Sequence, residues 1–282
     1  MEIKQLDHTS VLNLLPDRDP ESHKGNYGRI LLLCGSCGYT GAAALAAMGA
    51  LRVGAGLVYL GVPESIYQIE AVKLLEPIVL PLCDQNGMLS CDAVSQIAQL
   101  TPKMDAILVG PGLGRSAGTS AVVQYILSSF EGPVILDADG INQISAHKDI
   151  LRGRTSPTIL TPHEGEFLRL YKDLRSGRLE SAAALATECN CIVVLKGHHT
   201  VITDGNVCYV NNTGNPGMAV GGSGDVLAGI ITGLVGQGIS PLVAASCGVW
   251  LHGAAGDICE KEFGQYGMLP SDMLSVLPRL LK

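Results

Sequence analysis

Short apolar runs alternate with longer stretches rich in Ala, Gly and other small residues through the first half of the chain. RILLLC (29–34) is followed by GAAALAAMGALRVG (41–54), GLVYLGV (56–62) by a helical pattern near 64–74, and PIVLPL (77–82) by another near 91–100. DAILVGPGLG (105–114) leads to a helix near 118–129, and PVILDADG (133–140) comes next. The runs are apolar at consecutive rather than alternate positions, the pattern of strands covered on both faces. The rhythm predicts an α/β fold: a doubly wound, mostly parallel sheet flanked by helices in three α/β/α layers.

The second half changes character. TILTPHEGEF (158–167) reads as a strand, a turn and a helix start. CIVVLKGHHTVITDGNVCYVNNTG (191–214) then packs three strand-like runs around the turns KGHH and TDGN, a meander rather than a crossover unit. From Gly224 the chain reads as helical to its end, with a break at EFGQYGMLP. No internal repeat or low-complexity linker divides it, so one domain over 1–282 is expected.

Composition narrows the partners. Of 282 residues, 47% are hydrophobic and 16% charged, which suits a large buried core. The net charge is −7 and the 19 Lys and Arg residues are scattered, which argues against nucleic acid. No apolar run reaches the roughly 18 residues of a membrane helix, and the N-terminal segment has no signal-peptide core, so neither membrane nor leader is expected. Nine cysteines, most within apolar segments, point to reduced thiols in the cytoplasm.

Ligands of open α/β sheets bind beyond the strand ends. Four loops there carry unusual residues: CGSCGYTGAA, GPGLGRS, DADGIN and TPHEGE. A fifth, NPGMAVGGSGD, precedes a helix. Gly221, Gly222, Ser223 and Gly224 lack bulk, and their amides at a helix start can cradle an anion or simply form a tight turn. Asp225 either supports the helix dipole or takes a proton from an attacking hydroxyl while the amides hold the phosphoryl group. His163, with Glu164 and Glu166 beside it, is open as metal ligand, substrate contact or helix-start residue. Asp137, Asp139 and Asn142 are open between organising Mg²⁺ and capping a short helix. Cys34-x-x-Cys37 has the spacing of a redox pair but no second such pair, and reads as a small-residue loop. His198 and His199 are adjacent, which disfavours a two-His metal site if they lie on a strand.

Together, NPGMAVGGSGDVLAG, TPHEGE, VVLKG, DADGIN and GPGLG resemble the NAD(P)H-hydrate dehydratases of the ribokinase-like superfamily. The resemblance runs from KGNYGRILLLCGS to GMLPSDMLSVLP, nearly the whole chain. It implies phosphorylation and elimination of the ring hydroxyl of (6S)-hydrated NADH or NADPH, with Mg²⁺ and with ADP the expected donor over ATP. By the same resemblance, Asp225 is the catalytic base, and Gly222, Ser223 and Gly224 hold the phosphate. Ala42, Gly112 and His163 join Asp225 at the hydrate. Lys196, Gly197, His198, His199 and Thr200 hold the adenine nucleotide, and Glu166 organises Mg²⁺ through water. The family further implies a separate epimerase partner and a homo-oligomer, a tetramer. Cys34, Cys37 and Gly140 depart from the usual pattern, and nothing locates a pocket for a 2′-phosphate. A small-molecule kinase acting on a vitamin precursor or sugar hydroxyl is the alternative on the same fold.

Overall fold

Strands that are apolar on both faces need helices above and below them, and the chain supplies both. The computed structural model describes residues 2–171 and 173–282. Its strands are β1 (Glu2–Lys4), β2 (Arg29–Leu33), β3 (Leu57–Pro63), β4 (Ile78–Leu82), β5 (Asp84–Gln85), β6 (Met88–Leu89), β7 (Ala106–Val109), β8 (Val134–Leu136), β9 (Thr158–Leu160), β10 (Ile192–Leu195), β11 (Val201–Thr203) and β12 (Val207–Val210). Ten form one sheet in the order β1-β12-β11-β10-β9-β8-β7-β2-β3-β4, while β5 and β6 make a small separate hairpin. From β10 to β4 all neighbours are parallel; β10-β11 and β11-β12 are the antiparallel meander read from the sequence.

The α-helices are α1 (His8–Leu14), α2 (Thr40–Arg52), α3 (Glu64–Lys73), α4 (Ala93–Leu100), α5 (Ala117–Ser129), α6 (Asp139–Ile144), α7 (Asp149–Arg152), α8 (Glu164–Tyr171), α9 (Arg178–Cys189), α10 (Ser223–Gly236), α11 (Pro241–Gly267) and α12 (Pro270–Val276). Alternation along each strand divides the core. Ile30 and Leu32 of β2 face one layer, with α2, α10, α11 and α12; Leu31 and Leu33 face the other, with α4 to α9. This is the three-layer α/β/α arrangement. The strand β1, the β5-β6 hairpin and helix α9 were not foreseen.

Within the first layer α2 and α10 meet almost backbone to backbone. A Cβ on Gly229 would stand 2.0 Å from the Ala46 carbonyl oxygen, one on Gly233 2.7 Å from that of Ala50, and one on Gly49 2.7 Å from that of Val226. The small-residue runs of the sequence are therefore a packing requirement. They let both helices begin at the same edge of the sheet.

One premise is overturned, that no apolar stretch is long enough to cross a membrane. Helix α11 is long and apolar enough to cross a membrane, with a mean hydropathy of 1.3 over its most apolar window, 78% of which is buried. It is a core helix, packed against α10, α12 and the sheet. Its apolar character is broken up in the sequence by small residues, His252 and Asp257, so no uninterrupted run was visible.

The chain leaves β2 outward to β3 and β4, then returns to the other side of β2 for β7, β8, β9 and β10. The order reverses between β2 and β7, which is where open α/β sheets bind ligands. In register, Leu33 lies beside Val109, Val109 beside Leu136, and Leu136 beside Leu160. The residues just beyond these ends share one edge.

Packing this close makes a direct expectation. Gly229→Ala should destabilise the fold by about 1–3 kcal/mol through overpacking, read by urea or thermal denaturation. Gly41→Ala, with nothing within 4 Å of the added carbon, should be neutral or slightly stabilising.

Candidate active site

Cys34, Gly110, Asp137, Thr161 and Lys196 are the first residues past β2, β7, β8, β9 and β10. Asp137 is buried, and its Oδ1 accepts hydrogen bonds from Thr161 Oγ1 and Lys196 Nζ, each at 2.7 Å. The next residue, Ala138, has φ +47°, a left-handed conformation that costs a Cβ-bearing residue energy. It turns Asp139 away from Asp137. Asp139 Oδ2 accepts from the Gly114 amide and Oδ1 from Arg115 Nε, both at 3.0 Å. The two aspartates of DADGIN thus have separate tasks, one paired with a lysine and one bracing GPGLGR. Neither caps α6, which has no side-chain cap.

Helix α10 starts over this edge. Gly222 precedes it at φ +99°, where a Cβ would also strike Leu45 Cδ1 at 2.6 Å. No side chain caps the helix; the Ser223 amide donates to the Val220 carbonyl at 3.3 Å, and the amides after it are left to meet an anion. Lys196 Nζ stands 3.4 Å from where a Cβ on Gly224 would be, beside that helix start. Asp225 sits in the first turn. Burial, then the charge of Asp137, raises its carboxyl to about 6, against the pull of Lys196. Burial works against the Lys196 charge, but Asp137, Glu166 and Asp225 outweigh it and hold the ammonium above its ordinary value.

A second helix holds the glycine loop from behind. Along α11, the Trp250 carbonyl accepts from Thr213 Oγ1 at 3.0 Å, and Asp257 accepts from the Gly214 amide at 2.9 Å and Asn215 Nδ2 at 3.2 Å. His252 Nε2 lies 3.3 Å from Ser223 Oγ, and burial pushes its imidazole down to about 4, so it is neutral. His252 and Asp257 went unnoticed in the sequence. The signal was present: HGAAGD puts a histidine and an acid inside a small-residue helix.

The other candidate residues divide clearly. Ala42 and Gly112 meet: a Cβ on Gly112, at φ +61°, would lie 2.9 Å from Ala42 Cβ. His163 begins α8, its Nδ1 accepting from the Gly165 and Glu166 amides at 3.0 and 3.3 Å. Glu166 answers by accepting from the His163 amide at 2.9 Å, a capping box, with Oε1 3.4 Å from His163 Nε2. His163 therefore fills the helix-start role while its ring stays exposed. His198 and His199 lie in a turn rather than on a strand, with ring centroids 3.9 Å apart. Gly197 and Thr200 close that turn, Thr200 Oγ1 donating to the Gly197 carbonyl at 2.9 Å. Cys34 is buried and Cys37 exposed, and both are free thiols. Burial, Asp225 and Asp137 all push the Cys34 thiol well up, away from a reactive thiolate.

The NAD(P)H-hydrate dehydratase family profile matches residues 30–279. The chain belongs to this family. It is 38% identical over 276 residues to the ADP-dependent (S)-NAD(P)H-hydrate dehydratase of Bacillus subtilis, covering 95% of this chain and 94% of that one. It is 44% identical over 275 residues to the bifunctional NAD(P)H-hydrate repair enzyme Nnr of Moorella thermoacetica, and spans about half of that longer protein, 52%. The crystal structure of the Bacillus subtilis ADP/ATP-dependent dehydratase, co-crystallised with ATP/Mg²⁺, superposes with a TM-score of 0.83 at 34% identity, covering 97% of this chain and 96% of that one. The hydroxyethylthiazole kinase of Pyrococcus horikoshii, at 15% identity and a TM-score of 0.62, shares the fold.

The Mg²⁺ that the resemblance implies can be tested against the side chains present. Among the described residues no three His, Cys, Asp or Glu side chains gather to hold an ion. Asp137 is committed to Lys196, and Glu166 to the amide of His163. The described residues thus offer no ready cation cage, and a Mg²⁺ brought by a nucleotide would be held by phosphate oxygens and water.

Two outcomes follow from these environments. Because the folded state raises the Asp225 pKa, its ionisation destabilises the fold as pH climbs from about 4 through 6. Asp225→Asn should therefore stabilise the protein by up to about 3 kcal/mol near pH 8 and have almost no effect below about pH 4, measured by denaturation at both. The Cys34→Ser, Cys37→Ser double variant should keep its activity to within about a few fold, since burial holds the Cys34 thiol protonated and the two thiols form no disulfide.

Proposed function

We propose that this chain dehydrates (6S)-hydrated NADH and NADPH back to the intact cofactors at the expense of a nucleotide phosphoryl group. ADP, yielding AMP and phosphate, is the expected donor, with ATP the alternative. The observation that carries the reading is Asp225 in the first turn of an uncapped helix, beside Lys196. A kinase-like site needs an anion cradle and a base within reach of one another, and these residues supply both.

In this reading the hydrate's ring lies over Ala42 and Gly112, with its hydroxyl at Asp225. Asp225 takes the hydroxyl proton as the oxygen attacks the terminal phosphoryl group of the nucleotide. The Gly224 amide and the Ser223 hydroxyl, with Lys196, bear the charge of the group in transit. The ring carbon–oxygen bond then breaks, pushed by the ring nitrogen lone pair, and phosphate departs with the bonding electrons. Loss of a proton from the neighbouring ring carbon restores the dihydronicotinamide. The turn from Gly197 to Thr200 is assigned to the adenine nucleotide, and Mg²⁺ supplies charge neutralisation on its phosphates.

The proposal extends to the setting. Nine free thiols suit a reducing cytoplasm. A separate epimerase would feed the site with the correct hydrate epimer. A homotetramer is in keeping with the exposed Ile69, Val72 and Leu75 on and after α3.

Incubation with NADPH hydrate and either ADP or ATP should restore the absorbance of the dihydronicotinamide ring. Accumulation of a stable phosphorylated product without that recovery would favour the small-molecule kinase instead. Asp225→Asn should lose about two to four orders of magnitude in turnover while still binding nucleotide. In the wild type, kcat/KM should fall about tenfold per pH unit below about 6, as the base becomes protonated.

A further inference from the structure

The proposed substrates are dinucleotides with a pyrophosphate and, in one of the two, a 2′-phosphate. These are fixed negative charges, yet the chain carries −7 overall and its crevice holds Asp137, Glu166 and Asp225. The nearby cations are mostly taken. Lys196 is committed to Asp137. Arg178 pairs with Glu164 and donates to the carbonyls of Leu195 at 3.0 Å and Lys196 at 3.1 Å.

Two guanidiniums are engaged only in part. Arg115 directly follows Gly114, in the loop that carries Gly112, and its Nε donates to Asp139 Oδ1 at 3.0 Å. Arg169 lies on α8, six residues after His163, and its Nε donates to Asn142 Oδ1 at 2.8 Å. Asn142 Nδ2 in turn lies 3.4 Å from Asp139 Oδ1 as a donor. Asp139 and Asn142 are three apart on α6 and so share a face. The relay Arg115–Asp139–Asn142–Arg169 joins the two loops that carry Gly112 and His163. It holds each arginine through Nε, Arg115 as an ion pair with Asp139, and the Nη groups of both donate no hydrogen bond to a described residue. Both side chains are exposed. Exposed ion pairs add little stability, and the relay leaves both guanidinium forks exposed. With one carboxylate to two guanidiniums it is a cationic spot in an acidic protein.

The geometry points to Arg115 and Arg169 as a phosphate-binding fork for the dinucleotide hydrate, gripping pyrophosphate or 2′-phosphate oxygens while the nicotinamide end lies at Asp225. Arginine forks match phosphate oxygens two at a time, and Nε anchoring leaves that edge prepared. The inference rests on the hydrate-repair reading of the Asp225 site.

Steady-state repair of NADH hydrate and NADPH hydrate by Arg115→Gln, Arg169→Gln and the double variant tests it. Each single change should raise KM for the hydrate about tenfold and leave KM for ADP alone. A loss on both hydrates identifies the pyrophosphate as the bound group; a loss confined to NADPH hydrate identifies the 2′-phosphate. Either result supports the fork. An unchanged hydrate KM in the double variant, with wild-type repair intact, overturns it. Calorimetric titration with NADPH reads the fork without turnover: about tenfold weaker binding in each variant supports it, and equal binding refutes it. Should the wild type repair no hydrate, the function reading fails while this titration still decides the fork. Both arginines are exposed, so unchanged melting temperatures are expected and separate a binding loss from a folding defect.

Discussion

The close approach of α2 and α10 is the constraint on which the rest of the site depends. Glycine at 49, 229 and 233 lets two helices touch through their backbones, and so their N-termini emerge side by side beyond the sheet. One start carries Ala42, the other Ser223, Gly224 and Asp225. Had these positions carried larger side chains, the helices would be forced apart, and the start of α10 would no longer stand beside Lys196. Reactions of this type tolerate little misplacement. Core packing and catalytic geometry are here the same contact.

The electrostatics of the crevice follow from its burial. Three carboxylates, Asp137, Glu166 and Asp225, act on one ammonium, Lys196. The group that ends up short of compensation is Asp225, and its affinity for protons rises accordingly. A base near 6 is ionised at neutral pH yet stronger than an ordinary aspartate, the compromise a general base requires. The lysine is best understood as shared. It neutralises Asp137 in the resting protein and is close enough to α10 to turn toward a phosphate.

Much of this was visible in the sequence, and what was missed has physical causes. The parallel strands announced themselves because burial on both faces leaves uninterrupted apolar runs. The meander was legible from TDGN and KGHH, whose turn chemistry is local. Asp225 stood out because an acid after GGSG is odd in any loop. The Lys196–Asp137 pair escaped because its partners lie 59 positions apart and only the register of β8, β9 and β10 brings them together. His252 and Asp257 escaped for a related reason, since their partners in the glycine loop are long-range. The short β1 has too few residues to show periodicity, and α9 opens with charged residues that obscure its buried stripe.

The attachment of the segment from Thr213 to Ser223 to helix α11 has a consequence beyond geometry. A glycine-rich loop in solution samples many backbone states, and a ligand that must select one of them loses affinity in doing so. Here the loop is tied at Thr213, Gly214 and Asn215 on one side and at Ser223 on the other. Its freedom is surrendered when the protein folds, against the hydrophobic gain of burying α11, rather than when a phosphate arrives. At Gly221 the space beside the backbone is open, leaving room for a ligand. The long apolar helix thus serves the site as a store of order, and the phosphate meets a cradle that has already been set.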